Sequence, residues 1–516
     1  MLGGAAQALL ERNHDGLSPD AGARIVKVIL YNPVSSASRK PILPLSLLAL
    51  GAVLEGRHEY VIIDGNLTAD PLAEISARLA AGDRPAVLAV TVMPGPQLAD
   101  AVRLCKALRP RYPELFIVWG GYFPTQHFRV CLLSGYVDFV VRGHGEEPFR
   151  ALLDALAAAA PPPGIRGVVA ATSRGELPAE VAAVPDPEQL PAFPYHRLEV
   201  ERYIRKTFLG RRTLSHHASY GCPFRCGFCA VVNLVDGKWR AQSAIRCAQV
   251  AEQLVTSWRI DGLELFDNNF FVSEARAVDF AGGIEKLGLG WWGEGRVDTL
   301  LRYRDESWRR LRRSGLKMVF MGAETASDAA LARMNKGGTM TVEATLAIVR
   351  RMAEHGVVPE LSFVLGAPPD PAEDVERTLR FIRRVKLANP LTEIILYLYT
   401  PVPLAGELLD LATAEGFAFP ETLDAWVSAA GLSLVGRRSE DLPWLPRRAF
   451  RRARDFERVL NAYYPTVTNQ RLNGVRRLLL RALGGWRYHL RVYGYPYELR
   501  AAQRLVAYQR PETAGF

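Results

Sequence analysis

The 516 residues carry 64 Lys and Arg against 54 Asp and Glu, a formal charge of +10, with 49% hydrophobic and 23% charged residues. That balance excludes a disordered or collagen-like chain and leaves length for two or three domains with sizeable cores. No apolar run approaches the roughly 20 residues of a membrane helix, and residues 1–22 lack the basic-then-apolar order of a signal peptide, so a cytoplasmic location is expected.

After a polar arm (1–23), residues 25–31 read as a buried strand ended by Asn32-Pro33. A helix is expected over 45–54, a strand over 60–64, a helix over 71–81 and a strand over 86–92. A helix over 97–109 follows, then strands over 115–119 and 137–141 and a helix over 148–160. Strands alternating with helices at this spacing specify α/β architecture, here a doubly wound (Rossmann-like) parallel sheet over 24–160. Ligands of such sheets bind beyond the carboxyl ends of the strands, where Asp64, Gly120-Gly121 and Gly143-His144-Gly145-Glu146 lie. Glycines there let backbone approach a flat ligand with no Cβ between.

Pro161-Pro162-Pro163-Gly164 opens an extended linker running to about residue 205. The stretch 206–410 repeats the strand-helix rhythm, and 411–516 reads as mostly helical, rich in arginine and aromatics. Its basic excess reads as a solvated helix surface. The functional alternatives are an anionic substrate, a membrane surface met peripherally, or an electron-donor protein. Nothing resembles a nucleic-acid-binding motif.

The densest chemistry is Gly221-Cys222-Pro223-Phe224-Arg225-Cys226-Gly227-Phe228-Cys229. Three thiolates on one loop suit an iron-sulfur cluster that leaves one iron without a protein ligand, whereas structural zinc wants four ligands. Cys247 would be the fourth only if its helix folded back. Cys105 and Cys131 stand in apolar contexts and read as buried small hydrophobes. Six cysteines with three clustered suit a reducing compartment better than a disulfide framework.

The C-x3-C-x2-C spacing with aromatic Phe228 resembles the signature of the radical S-adenosylmethionine (SAM) superfamily, and 214–409 resembles its partial (β/α)6 barrel. The resemblance implies that Cys222, Cys226 and Cys229 hold a [4Fe-4S] cluster whose open iron chelates SAM. It implies SAM contacts from Asp267 to the amino group, from Arg296 to the carboxylate and from Glu324 to the ribose or amino group. Pro401-Val402-Pro403 departs from the P-G-T turn of the family.

The first domain resembles the cobalamin (B12)-binding domain that precedes the barrel in one large class of these enzymes. The resemblance rests on Asp64, on Gly120-Gly121 with Pro124, and on Val141-Arg142-Gly143-x-Gly145-Glu146. Where cobalt-ligating members read D-x-H-x-x-G, this chain has Asp64-Gly65-Asn66-Leu67-Thr68-Ala69. Asn66 replaces the histidine, which argues against histidine ligation but not against binding. His144 reads as a surface residue, with a cofactor contact as the alternative. The class implies methylation of an unactivated carbon of a small-molecule or lipid substrate, with an external electron donor such as flavodoxin or ferredoxin. The alternatives are a non-methylating cyclase or ring-rearranging enzyme of the same architecture, and a non-catalytic iron-sulfur protein.

Overall fold

The computed structural model describes residues 27–35, 41–80, 87–158, 164–171, 180–336, 338–435, 442–468, 472–506 and 508. The expected N-terminal arm, the start of the first strand and the Pro161-Pro162-Pro163 run lie outside them. The chain forms two compact units, each made of separated segments: 1–203, 230–240 and 419–435 in one, 204–229, 241–418 and 436–516 in the other.

The first unit holds a six-stranded sheet of order β2-β1-β3-β4-β5-β6. Its strands are β1 (Lys27–Asn32), β2 (Glu59–Asp64), β3 (Val87–Thr91), β4 (Phe116–Gly120), β5 (Phe139–Val141) and β6 (Val168–Ala170). The first five are parallel. Their near-continuous burial, as in Val28–Tyr31 and Val87–Val90, is what helices on both faces demand of a parallel sheet. β6 runs antiparallel to β5, so Val168-Val169, expected within the linker, forms the edge of the sheet instead. The expected all-parallel sheet thus gains an antiparallel edge, a common end for such sheets.

Helices α1 (Leu45–Leu54), α2 (Pro71–Ala80), α3 (Pro96–Leu108) and α4 (Glu146–Ala157) connect the strands. Cys105 and Cys131 are fully buried, as expected, and Trp119 Nε1 donates to Cys105 Sγ at 3.4 Å. The core also takes Leu423 and Trp426 from the late segment. The indole of Trp426 meets Phe123 edge-on at 5.2 Å, and Lys106 pairs with Asp424. Each large apolar side chain fully buried in this way contributes roughly 1.5–3 kcal/mol.

The second unit is built on six parallel strands in sequence order: β7 (Thr213–His216), β8 (Gly262–Leu265), β9 (Gly290–Gly295), β10 (Leu316–Glu324), β11 (Val358–Leu365) and β12 (Glu393–Leu398). Helices α5 (Ala244–Trp258), α6 (Glu274–Ile284), α7 (Asp305–Arg313), α8 (Val342–Glu354) and α9 (Pro371–Ala388) alternate with them, giving the partial barrel. Ser243, Ser273 and Thr341 cap α5, α6 and α8 by accepting from the backbone N–H three residues on. Residues 291, 293 and 295 of β9 turn toward Phe270, Phe271 and Phe280, so 292, 294 and 296 face the opposite, interior side.

Helices α10 (Arg447–Tyr463), α11 (Gly474–Leu490) and α12 (Tyr497–Leu505) complete this unit. The arginines expected on a solvated surface are partly inward. Buried Arg487 pairs with Glu498, and Arg477 donates to three backbone carbonyls. Tyr463, Tyr464 and Tyr488 stack on one another, which makes them packing residues, whereas Trp486, Tyr495 and Tyr497 are exposed. Among the described residues no helix is long and apolar enough to cross a membrane.

Candidate functional site

Order 2-1-3-4-5 places the topological switch of the first unit between β1 and β3, and the loops after these strands are knit together by amides. Asp64, buried at the end of β2, accepts from Asn32 Nδ2 at 3.0 Å, from Asn66 N and Nδ2 at 2.9 and 2.8 Å, and from Tyr203 Oη at 3.0 Å. Burial raises its pKa against these donors. Asn66 Oδ1 accepts from Ser35 N and Oγ, both at 2.9 Å. Both polar ends of Asn66 are therefore turned into the loops, and it offers nothing to a metal. Gln97 Nε2 donates to Asn32 Oδ1 at 3.0 Å and its Oε1 accepts from Met93 N.

Two of the four glycines have a left-handed backbone and two do not. Gly121 has φ 96°, and a Cβ there would meet Thr91 Oγ1 and Val92 N at 3.1 and 3.2 Å. Gly143 has φ 84°, with Ala182 N at 3.2 Å from its missing Cβ, and its N–H donates to Thr125 Oγ1. A Cβ on Gly120 would meet nothing closer than 3.8 Å, and Gly145 has ordinary right-handed dihedrals. Glu146 is buried in the first turn of α4, where negative charge is favoured by the helix dipole. His144 is not a surface residue: it is mostly buried, Nδ1 lies 3.9 Å from Glu146 Oε2, and burial lowers its pKa. The residues present fit one face of a flat macrocycle. Met93 after β3 and Ile42 after β1, 45% and 44% exposed, present apolar surface at this end of the sheet, and the 64–69 loop supplies no imidazole.

In the second unit the thiol loop follows β7. Cys226 is buried, while Cys222 and Cys229 are half-buried. Two N–H donors reach the sulfurs: Arg296 Nη1 lies 3.4 Å from Cys226 Sγ, and Asn269 Nδ2 lies 3.8 Å from Cys222 Sγ. Burial raises the Cys226 thiol pKa, and the charges of Lys336 and Arg296 oppose that rise. Among the described residues no three His, Cys, Asp or Glu side chains close around a point suited to a single ion. Three thiols on one loop, with N–H donors toward two of the sulfurs, fit a cluster, whose potential such hydrogen bonds tune.

Two of the expected contact residues are engaged by protein partners. The guanidinium fork of Arg296 grips Asp298 at 2.9 and 3.1 Å, and Asp298 is itself held by Thr339 Oγ1 at 2.7 Å. The guanidinium lies over the Phe224 ring, with Cζ 3.9 Å from the centroid. Asp267 likewise has partners within the protein. It is fully buried, accepts from Ala218 N at 3.1 Å and from Ser219 Oγ, and so fixes the approach to the thiol loop. Burial pushes its pKa up to about 6.

Glu324 ends β10 with φ 64°, a left-handed conformation costly for a residue with a Cβ, at a register shift against β11. There it forms a buried ion pair with Lys336. Gly322 makes room, since its Cβ would overlap both Glu324 Oε1 and Lys336 Nζ. Lys336 also lies 5.8 Å from the centroid of Phe228, and Met334 O accepts from Gly227 N at 2.8 Å, so this turn clamps the thiol loop. Lys336, Asn269, Phe224 and Asp298 are site residues that sequence reading missed. Their signal was position alone, in the thiol loop, at strand ends or in the turn after β10.

Glu294 was missed as well. It faces the barrel interior between Trp292 and Arg296 and makes no hydrogen bond or ion pair among the described residues. Burial, then the charges of Glu360 and Asp267, push its pKa up to about 8. Trp292 Nε1 donates to Glu360 Oε2 at 2.8 Å on the same face. A separate cavity of about 540 Å³ lies at the opposite, N-terminal end of the strands, lined by Lys206, Asp261, Glu285 and Lys317 among others. That end of a barrel serves stability rather than chemistry.

Sequence models of known families match both halves: the B12 binding domain over residues 33–153 and the radical SAM superfamily over 218–382. The chain is a B12-binding radical SAM enzyme. Its cofactors are accordingly a [4Fe-4S] cluster, SAM and cobalamin. An uncharacterized methyltransferase of Pyrococcus horikoshii is 26% identical over 381 residues, 70% of this chain and 79% of that protein. The anaerobic magnesium-protoporphyrin IX monomethyl ester cyclase of Synechocystis is 27% identical over 64% of this chain and 67% of its own length. The hopanoid C-3 methylase of Methylococcus capsulatus is 27% identical over 60% and 59%. Among solved structures, the methyltransferase TsrM of Kitasatospora setae with cobalamin and [4Fe-4S] cluster bound matches with TM-score 0.60 and 20% identity, covering 76% of this chain and 75% of its own. OxsB with aqua-cobalamin matches with TM-score 0.61 and 18% identity over 76% and 59%. At these identities the structures support the shared fold.

Proposed function

We propose that this B12-binding radical SAM enzyme methylates an unactivated carbon of a small-molecule or lipid substrate. The observation that carries the reading is the thiol loop with N–H donors turned to two of its sulfurs, in a chain that also holds an amide-knit switch-point crevice. Cys222, Cys226 and Cys229 would hold the cluster, and Arg296 and Asn269 would donate to its thiolate ligands. When bound, the cluster with SAM supplies hydrogen abstraction and the cobalamin supplies methyl transfer.

The protein positions these groups and excludes water. Asp298 holds Arg296 in place, Asp267 fixes the entry to the loop, and the Glu324–Lys336 pair would stand at the polar end of SAM. Glu294 and Glu360 give the barrel interior hydrogen-bonding carboxyl groups. Gly121 and Gly143 keep the turns beside the cobalamin free of side chains. A flavodoxin or ferredoxin of a reducing cytoplasm supplies the electron. Methyltransferase relatives support the reading, and the test is product mass from the reconstituted enzyme: a gain of one methylene is expected.

The second reading is oxidative ring closure, favoured by the two cyclases at 27% and 26% identity. A product that loses hydrogen or gains oxygen would establish it and reject methylation.

A further inference from the structure

A helix on a protein surface turns its apolar stripe inward and its polar face to water. Helix α11 departs from this. The side packed against α10 is made of Leu480, Gly484, Gly485 and Tyr488, and a Cβ on Gly484 would touch Ala462 at 3.0 Å. The outward side carries Val475, Leu478, Leu479, Leu483, Trp486 and Leu490, between 40% and 70% exposed. At 3.6 residues per turn these six fall within an arc of about 140°. Val492 and Tyr495 continue the apolar surface past the helix end.

Charge frames this arc. Arg476, Arg481 and Arg491 are exposed, and between Gly474 and Leu505 there are seven arginines, one glutamate and no lysine or aspartate. Exposed leucines with a tryptophan, flanked by arginine on a helix already anchored to its domain, match an interfacial helix. The apolar arc suits the acyl boundary, the indole and phenols suit the headgroup level, and the arginines suit anionic headgroups.

We propose that α11 is a peripheral membrane-binding face that seats this enzyme on an anionic lipid bilayer. The face is independent of the reaction the barrel performs, so its test uses no turnover.

The experiment is sedimentation of the full-length chain with vesicles of phosphatidylcholine alone or mixed with phosphatidylglycerol, at low and high salt. Binding to the mixed vesicles, weakened by salt, is expected. Leu479→Glu with Trp486→Glu should weaken it roughly tenfold or more, the loss of two buried apolar groups. The charge variant Arg476→Gln/Arg481→Gln/Arg491→Gln should remove the preference for phosphatidylglycerol. Because the substituted side chains are exposed, melting temperatures should not change. If a variant melts lower, Trp486→Phe, which keeps the apolar surface, must still bind. No sedimentation with either vesicle, or binding unchanged by both variants, would overturn the proposal. So would a wild-type dimer that the glutamate variant converts to monomer, since the arc would then be a contact between two copies.

Discussion

Replacing Lys336 with methionine tests whether the turn after β10 is the clamp on the thiol loop. Lys336 and Glu324 are each 5% exposed and paired, so removing the ammonium leaves a carboxylate buried with no counter-charge. Breaking one partner of a buried pair costs about 3–5 kcal/mol. At roughly 2–4 °C per kcal/mol for a unit of this size, melting of the barrel should fall by on the order of 10 °C. The double variant Lys336→Met/Glu324→Gln removes both charges and should regain more than half of that loss. Scanning calorimetry of the four proteins of this cycle, without added SAM, gives the coupling directly. A Lys336→Met protein melting within about 2 °C of wild type, or a double variant no better than the single, would refute the argument that the pair is buried and mutually dependent.

The remaining predictions address single groups. Cys226→Ala should abolish both the visible absorbance of the cluster and SAM cleavage, read from the anaerobic spectrum and from 5′-deoxyadenosine release. Gly121→Ala places a Cβ where φ is 96° and Val92 N is 3.2 Å away, and should cost about 1–3 kcal/mol in thermal melting. Asn66→Ala deprives Asp64 and Ser35 of partners and should destabilise by about 1–3 kcal/mol. Its affinity for hydroxocobalamin, followed by titration, should change little, because the side chain already bonds within the loops. For Glu294 the folded pKa of about 8 lies above the ordinary 4.5, so the fold favours the protonated acid. That advantage is complete below about pH 4.5 and is lost as pH rises toward 8, with a slope of at most ~1.4 kcal/mol per pH unit. Glu294→Gln should therefore gain on wild type in melting temperature between pH 6 and pH 8.

The first sheet was legible because a parallel strand buried on two faces writes itself as an unbroken apolar run, as 28–31 and 87–90 do, and the second through its alternation of strands with helices. The edge strand β6 was not, since three residues between proline-rich stretches carry no period. The thiol loop could be read as a metal site from its spacing, while the resemblance to the family singled out Asp267, Arg296 and Glu324 at their strand ends. Their partners could not be read. Whether Arg296 grips Asp298 or stays open depends on a backbone turn that brings Thr339 and Lys336 beside it, and no local pattern encodes that. Glu294 was hidden for the opposite reason: an acidic residue in a strand reads as solvent-facing, and only barrel curvature turns it inward. In α11 the arginines drew the eye, while the leucines between them decided which face is exposed.

The interleaving of the two units bears on how the chain is made. Translation yields residues 1–203 first, then passes between units after 203, 229, 240, 418 and 435. Trp426, which closes over Phe123 and His127, belongs to the penultimate stretch. The sheet of the first unit therefore leaves the ribosome with part of its apolar surface uncovered, and it waits for some two hundred residues of barrel before its own lid arrives. Closure of the early unit and completion of the late one become a single event near the end of synthesis, and a nascent chain arrested before residue 419 should need protection from aggregation.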